Sequence, residues 1–144
     1  MTSIFIVFAG FIIGLGAVTV IDTLGFLGRK SVYWTETTIR AHKVTKPLIW
    51  IGMFVVILGY ALVLADGIIT KGQFITSLLV MVIMILNGSY LSFYISPQLL
   101  KKEIEGRVTE LLSSDLQKKI TMSFLVSFIS WWGLLLLTIY QIFI

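Results

Sequence analysis

Met1 to Ile21, MTSIFIVFAGFIIGLGAVTVI, carries no charged side chain over 21 residues. A helix rises about 1.5 Å per residue, so a run of ~20 apolar residues crosses a hydrocarbon core about 30 Å thick. Three more charge-free stretches follow: Pro47 to Ala65 (19 residues), Gly72 to Leu100 (29) and Ile120 to Ile144 (25). Four such runs with no polar face between them cannot cover one another in water, so the chain reads as an all-α polytopic membrane protein with four spanning helices. The expected helices lie at about 3–27, 47–65, 71–96 and 115–143. Composition agrees: 58% of the 144 residues are hydrophobic and 12% charged, against about 25% charged in a soluble domain. The first stretch has no Lys or Arg before its apolar run and exceeds a usual signal-peptide core, so it is read as a retained helix.

Every charged side chain falls in one of three connections. Arg29, Lys30, Arg40, Lys43 and Lys46 are in the first and Lys101, Lys102, Arg107, Lys118 and Lys119 in the third, leaving only Lys71 in the second. The first and third connections share a side, which the positive-inside rule makes the cytoplasm; both termini are then outside. The expected location is a plasma or inner cell membrane. The net charge of +4 is accounted for by topology and by contact with anionic lipid headgroups, without a nucleic-acid partner.

Gly28 is a stop signal for the first helix. Ser31 to Thr45 mixes Val32, Tyr33, Trp34, Ile39 and Val44 with polar residues and reads as a short interfacial helix, and Pro47 as the start of the second span. Asp66-Gly67 marks a turn, with Thr70 and Gln73 in capping-box form. Ser96-Pro97 kinks the third helix or begins a new one. Leu100, Ile104, Val108 and Leu111 then make one apolar face, opposite the pairs Lys101–Glu105 and Glu103–Arg107. Ser114 and Gln117 repeat the capping form. The expected plan is two antiparallel hairpins with amphipathic interfacial helices in the cytoplasmic connections.

Gly10, Gly14 and Ala17 form a small-residue stripe suited to close helix packing, against Gly52 and Gly59 of the second helix and Ser123 and Ser127 of the fourth. Asp22 is the acid nearest a helix interior, where carboxylates are functional candidates; at the inner interface it could instead pair with Arg29 or Lys30. Asn87, Tyr90 and Tyr94 form a polar stripe, and a buried amide there requires a partner. Together Asp22, Asn87, Tyr90 and Tyr94 suggest a cytoplasm-facing ligand pocket, closed by Trp34, Glu36 and His42. Trp131-Trp132 lies near mid-bilayer, and at most one of the two lines a cavity. Trp50, Tyr60 and Tyr140 fit interfacial belts.

With no cysteine and one histidine in a basic segment, no cofactor and no metal site is expected. Nothing marks a catalytic nucleophile, so an enzyme is disfavoured. The expected function is a channel or carrier, or a subunit of one, for a small neutral or weakly charged solute, acting as a homo-oligomer or within a membrane complex. The alternatives are a scaffold docking a partner through basic loops and a quinone- or haem-associated redox protein.

Overall fold

The computed structural model of the chain describes residues 1–28, 31–106 and 113–144. It is all-helical: α1 (Thr2–Gly28), α2 (Val32–Ala65), α3 (Lys71–Tyr90), a π-helical turn (Leu91–Ile95), α4 (Ser96–Ile104) and α5 (Ser114–Phe143). Four spans, Thr2–Gly28, Val32–Ala65, Lys71–Ile104 and Ser114–Phe143, are long and apolar enough to cross a membrane. The chain is a multi-pass membrane protein.

α2 corrects the expected boundary at Pro47. Its 34 residues run through the proline without a break, so Val32–Lys46 is the first part of the long helix and not a separate one. Pro47 lacks the N–H that would bond the Lys43 carbonyl. It lies on the exposed side, which keeps the loss away from the packed face. The start of α2 is tied to the end of α1, because the buried Thr35 Oγ1 donates to Gly28 O at 2.7 Å and satisfies a terminal carbonyl.

α1 and α2 meet backbone to backbone. A Cβ on Gly10 would lie 2.6 Å from Val56 N, one on Gly52 would lie 2.4 Å from Gly14 Cα, and one on Gly59 would lie 2.7 Å from Val7 N. α3 packs along α5, and α1 also touches α5. The main apolar cluster joins Val7, Phe11, Val56, Tyr60, Met81, Trp131 and Leu134; a second joins Ile39, Ile95, Leu99, Leu116 and Ile120.

α3 opens with the capping box: Gln73 N donates to Thr70 Oγ1 and Thr70 N to Gln73 Oε1. α5 differs from expectation, since Ser113 stands at its N-cap without a side-chain cap bond and Ser114 is already helical. Lys101 and Glu105 pair at 3.9 Å, while Glu103 takes Lys43 at 2.9 Å and links α4 to α2. Arg29, Lys30, Arg107, Val108 and Leu111, named above in pairs and faces, lie outside the described residues.

Tyr60 corrects its assignment to an interfacial belt. It is 2% exposed and its hydroxyl bonds Thr138 Oγ1 at 2.5 Å. Beside it Ser77 Oγ donates to Gln141 Oε1 at 3.0 Å, and Gln141 Nε2 to Gln73 O at 3.1 Å. Interhelical side-chain bonds of this kind contribute about 0.6 kcal/mol on average and up to about 1.7. Tyr60→Phe is therefore expected to lower stability by about 1 kcal/mol, read from reversible unfolding in mixed micelles.

Candidate functional site

Two small cavities lie among the helices at the end of the bundle where α1 gives way to α2. One, about 40 Å3, is lined by Asp22 of α1, by His42, Lys46, Trp50 and Met53 of α2, and by Ser92, Phe124, Ser127 and Trp131 from the other elements. The other, about 30 Å3, shares Ile21, His42, Leu91 and Phe124 with it and is otherwise mostly apolar. A liquid water occupies about 30 Å3, so each suits a guest of that size.

The polar wall of the larger cavity comes from helix register. His42, Lys46 and Trp50 recur at spacings of four, which places them on one face only because α2 continues through Pro47. On the opposite wall, the π-turn changes which carbonyl is left over. Ser96 N–H bonds Leu91 O, five residues back. Ser92 O would then be due a donor from position 97, and Pro97 has none. Lys46 supplies it, Nζ to Ser92 O at 3.2 Å, while Trp50 Nε1 donates to Ser92 Oγ at 3.1 Å. The orphaned Ser92 carbonyl thus fixes the Lys46 amine in the wall, and the Ser92 hydroxyl fixes the Trp50 indole beside it.

Asp22 Oδ2 and His42 Nε2 are buried and have no hydrogen-bond partner among the described residues. A buried polar group without a partner costs on the order of 1–3 kcal/mol. Two such groups line one water-sized cavity, where a hydrogen-bonding guest or a proton would satisfy them.

The other expected site residues are placed differently. Trp131 is 2% exposed; it lines this cavity, meets Phe11 edge-on at 6.2 Å and covers Gly14. Trp132 is exposed on the outer face. Asn87 does not reach the cavity. Its Nδ2 donates to Ser123 O at 2.9 Å and Ser123 Oγ donates to its Oδ1 at 2.6 Å, a closed bridge between α3 and α5. Ser123 thereby faces α3 and not the glycine stripe of α1, whereas Ser127 lines the cavity. Tyr90 and Tyr94 are 39% and 49% exposed and stack on each other at 5.2 Å, facing outward. Trp34 meets Tyr33 edge-on, and Glu36 pairs with Arg40. The expected pocket of Asp22, Asn87, Tyr90 and Tyr94 is therefore not assembled, and the partners around Asp22 are His42, Lys46, Trp50 and Trp131.

Asn87→Leu removes both bonds of the bridge and strands Ser123. A loss of about 1–2 kcal/mol in stability is expected, with no change in function beyond that due to the folded fraction; unfolding in mixed micelles measures it.

His42 was expected in a loop and lies inside α2 with its ring at the cavity. His42 was expected only to close the pocket, and Lys46, Trp50 and Ser92 were missed as site residues. The spacing of four across Pro47 is the signal that would have placed Lys46 and Trp50 with His42. Compared with protein-family models, curated proteins and solved structures, the chain matches none.

Proposed function

We propose that the chain is a membrane carrier, or a subunit of one, in which the Asp22–His42 cavity exchanges protons and a small neutral or weakly charged solute with the cytoplasm. The observation that carries this reading is the pair of buried, unpartnered atoms, Asp22 Oδ2 and His42 Nε2, on one cavity. A carboxylate and an imidazole facing the same water-sized space can hand a proton between them, and Lys46 holds the local field positive.

In this reading α1 with α2, and α3 with α5, form two antiparallel hairpins. The order of close contacts supports it, with Gly59 against Val7, Gly52 against Gly14 and Thr35 against Gly28. The basic connections and α4 lie at the cytoplasmic surface against anionic headgroups, and both termini are outside, in a plasma or inner membrane. Because one chain encloses so little space, a solute larger than water requires assembly of several copies or a partner subunit.

The chain has no cysteine, so single-cysteine variants report topology directly. In intact cells a cysteine at Asp66 is expected to react with an impermeant maleimide and one at Lys43 only after permeabilisation; the opposite pattern would reverse the orientation. Function is tested in liposomes loaded with the pH dye pyranine and given an external acid pulse. Wild type is expected to pass protons well above protein-free liposomes and Asp22→Asn to fall to that background, whereas wild-type flux in Asp22→Asn overturns the proposal.

A further inference from the structure

Asp22 also borders a third space. Between α1 and α5 an open groove of about 260 Å3 is lined by Asp22, Thr23, Phe26, Thr121, Phe124 and Phe128, with Leu125 at its edge. Phe26, Leu125 and Phe128 are exposed on the outer surface of the spans, so the groove opens sideways toward lipid. Phe124 lines this groove and both interior cavities, and its ring lies so close to Gly25 that a Cβ there would meet it at 1.9 Å. One aromatic ring is the wall between a membrane-facing groove and the Asp22–His42 cavity.

The chemistry of the lining selects the occupant. Thr23 Oγ1 donates to Thr19 O at 2.7 Å and Thr121 Oγ1 to Gln117 O at 2.8 Å, so both hydroxyl protons are used. Among the described lining residues the groove offers no free backbone N–H or hydroxyl donor, and its one ionisable side chain is the Asp22 carboxyl. Among those described residues an anion finds no donor. An amine finds an acceptor: its N–H groups meet the Asp22 carboxyl, whose Oδ2 has no partner among the described residues, and its apolar body lies against the aromatic lining.

We propose that this groove is a lateral entrance that takes hydrophobic monoamines from the bilayer, with Asp22 holding the ammonium head and Phe26, Phe124 and Phe128 holding the apolar body. The proposal rests on the carrier reading and names the class of solute that would reach its site from the lipid side.

The probe is 1-naphthylmethylamine, with 1-naphthylmethanol as its neutral twin, in equilibrium dialysis against chain-loaded nanodiscs with the partition into empty discs subtracted. The amine is expected to bind saturably, one per chain, and at least about tenfold more tightly than the alcohol. Asp22→Asn is expected to erase that preference and Asp22→Glu, which keeps the carboxyl, to retain it, with helix content by circular dichroism showing both variants folded. Equal binding of amine and alcohol to wild type, or a preference that survives in folded Asp22→Asn, overturns the entrance. His42→Phe separates the two proposals. It is expected to lose proton flux while holding the amine as wild type does, since His42 does not line the groove; loss of the amine preference in this variant would overturn the assignment of the head to Asp22 alone. Wild-type proton flux in Asp22→Asn contradicts the carrier reading whatever the dialysis gives.

Discussion

Gly52→Val is expected to lose most of the folded protein. The first atom added at Gly52 would stand 2.4 Å from both Gly14 Cα and Gly14 N and 2.9 Å from Gly10 O. All three are backbone atoms of α1, so no side chain can swing aside; either the helices separate or the backbone bends. Separation removes the dispersion contacts that hold membrane helices together, since lipid offers no hydrophobic gain in exchange. Overpacking costs about 1–3 kcal/mol where neighbours can adjust and more where they cannot. We expect a loss of about 3 kcal/mol or more, seen as a lowered melting transition in detergent and a low yield of monodisperse protein. Gly16, two residues along α1 from Gly14, gives the contrast. A Cβ there meets nothing within 4 Å, and Gly16→Ala is expected to change stability by no more than about 0.5 kcal/mol. Equal melting of Gly52→Val and wild type would contradict the packing of α1 on α2.

The second large effect is expected at His42. If Asp22 Oδ2 and His42 Nε2 hold the same guest or pass the same proton, removing either breaks the same step. A positioned proton-transfer group contributes on the order of a hundredfold or more. His42→Phe keeps a ring of similar size in the cavity and deletes its nitrogens, so the loss reports chemistry and not a packing void. Groups that act as a unit give strongly non-additive losses, whereas independent groups multiply.

The four spans were legible in the sequence because hydrocarbon tolerates no charge, and the charge-free stretches mark them. The continuity of α2 was not, because Pro47 carries a strong local signal for a boundary. That signal concerns one missing hydrogen bond on an exposed face, and it is outweighed by the packing of Ile39, Met53, Val56, Tyr60 and Val63 on the other. Tyr60 was misplaced for a related reason. Its aromatic character suggests an interface, yet it belongs with Met53, Val56 and Val63 at spacings of three and four, the buried side of the helix. Asp22 stood out as a lone carboxylate near a helix interior. Of its neighbours, His42 stood out only as a closing residue and Lys46 not at all, because both looked like parts of a cytoplasmic connection once a break at Pro47 was assumed. Asn87, Tyr90 and Tyr94 share a stripe in sequence, but that stripe does not face Asp22. Tyr90 and Tyr94 do stay together, stacked on the outer surface, while the need of Asn87 for partners is met by Ser123 across the seam with α5. The lateral groove was beyond sequence reasoning, since it depends on how α1 and α5 splay around Phe124.

The most direct test is the initial proton flux after an acid pulse in liposomes holding equal amounts of folded wild type, Asp22→Asn, His42→Phe or the double variant. Each single substitution is expected to lower the flux by about a hundredfold or to the lipid background, and the double variant no further than the more damaging single one. Wild-type flux in Asp22→Asn, or losses that multiply in the double variant, would contradict a shared site at the Asp22–His42 cavity.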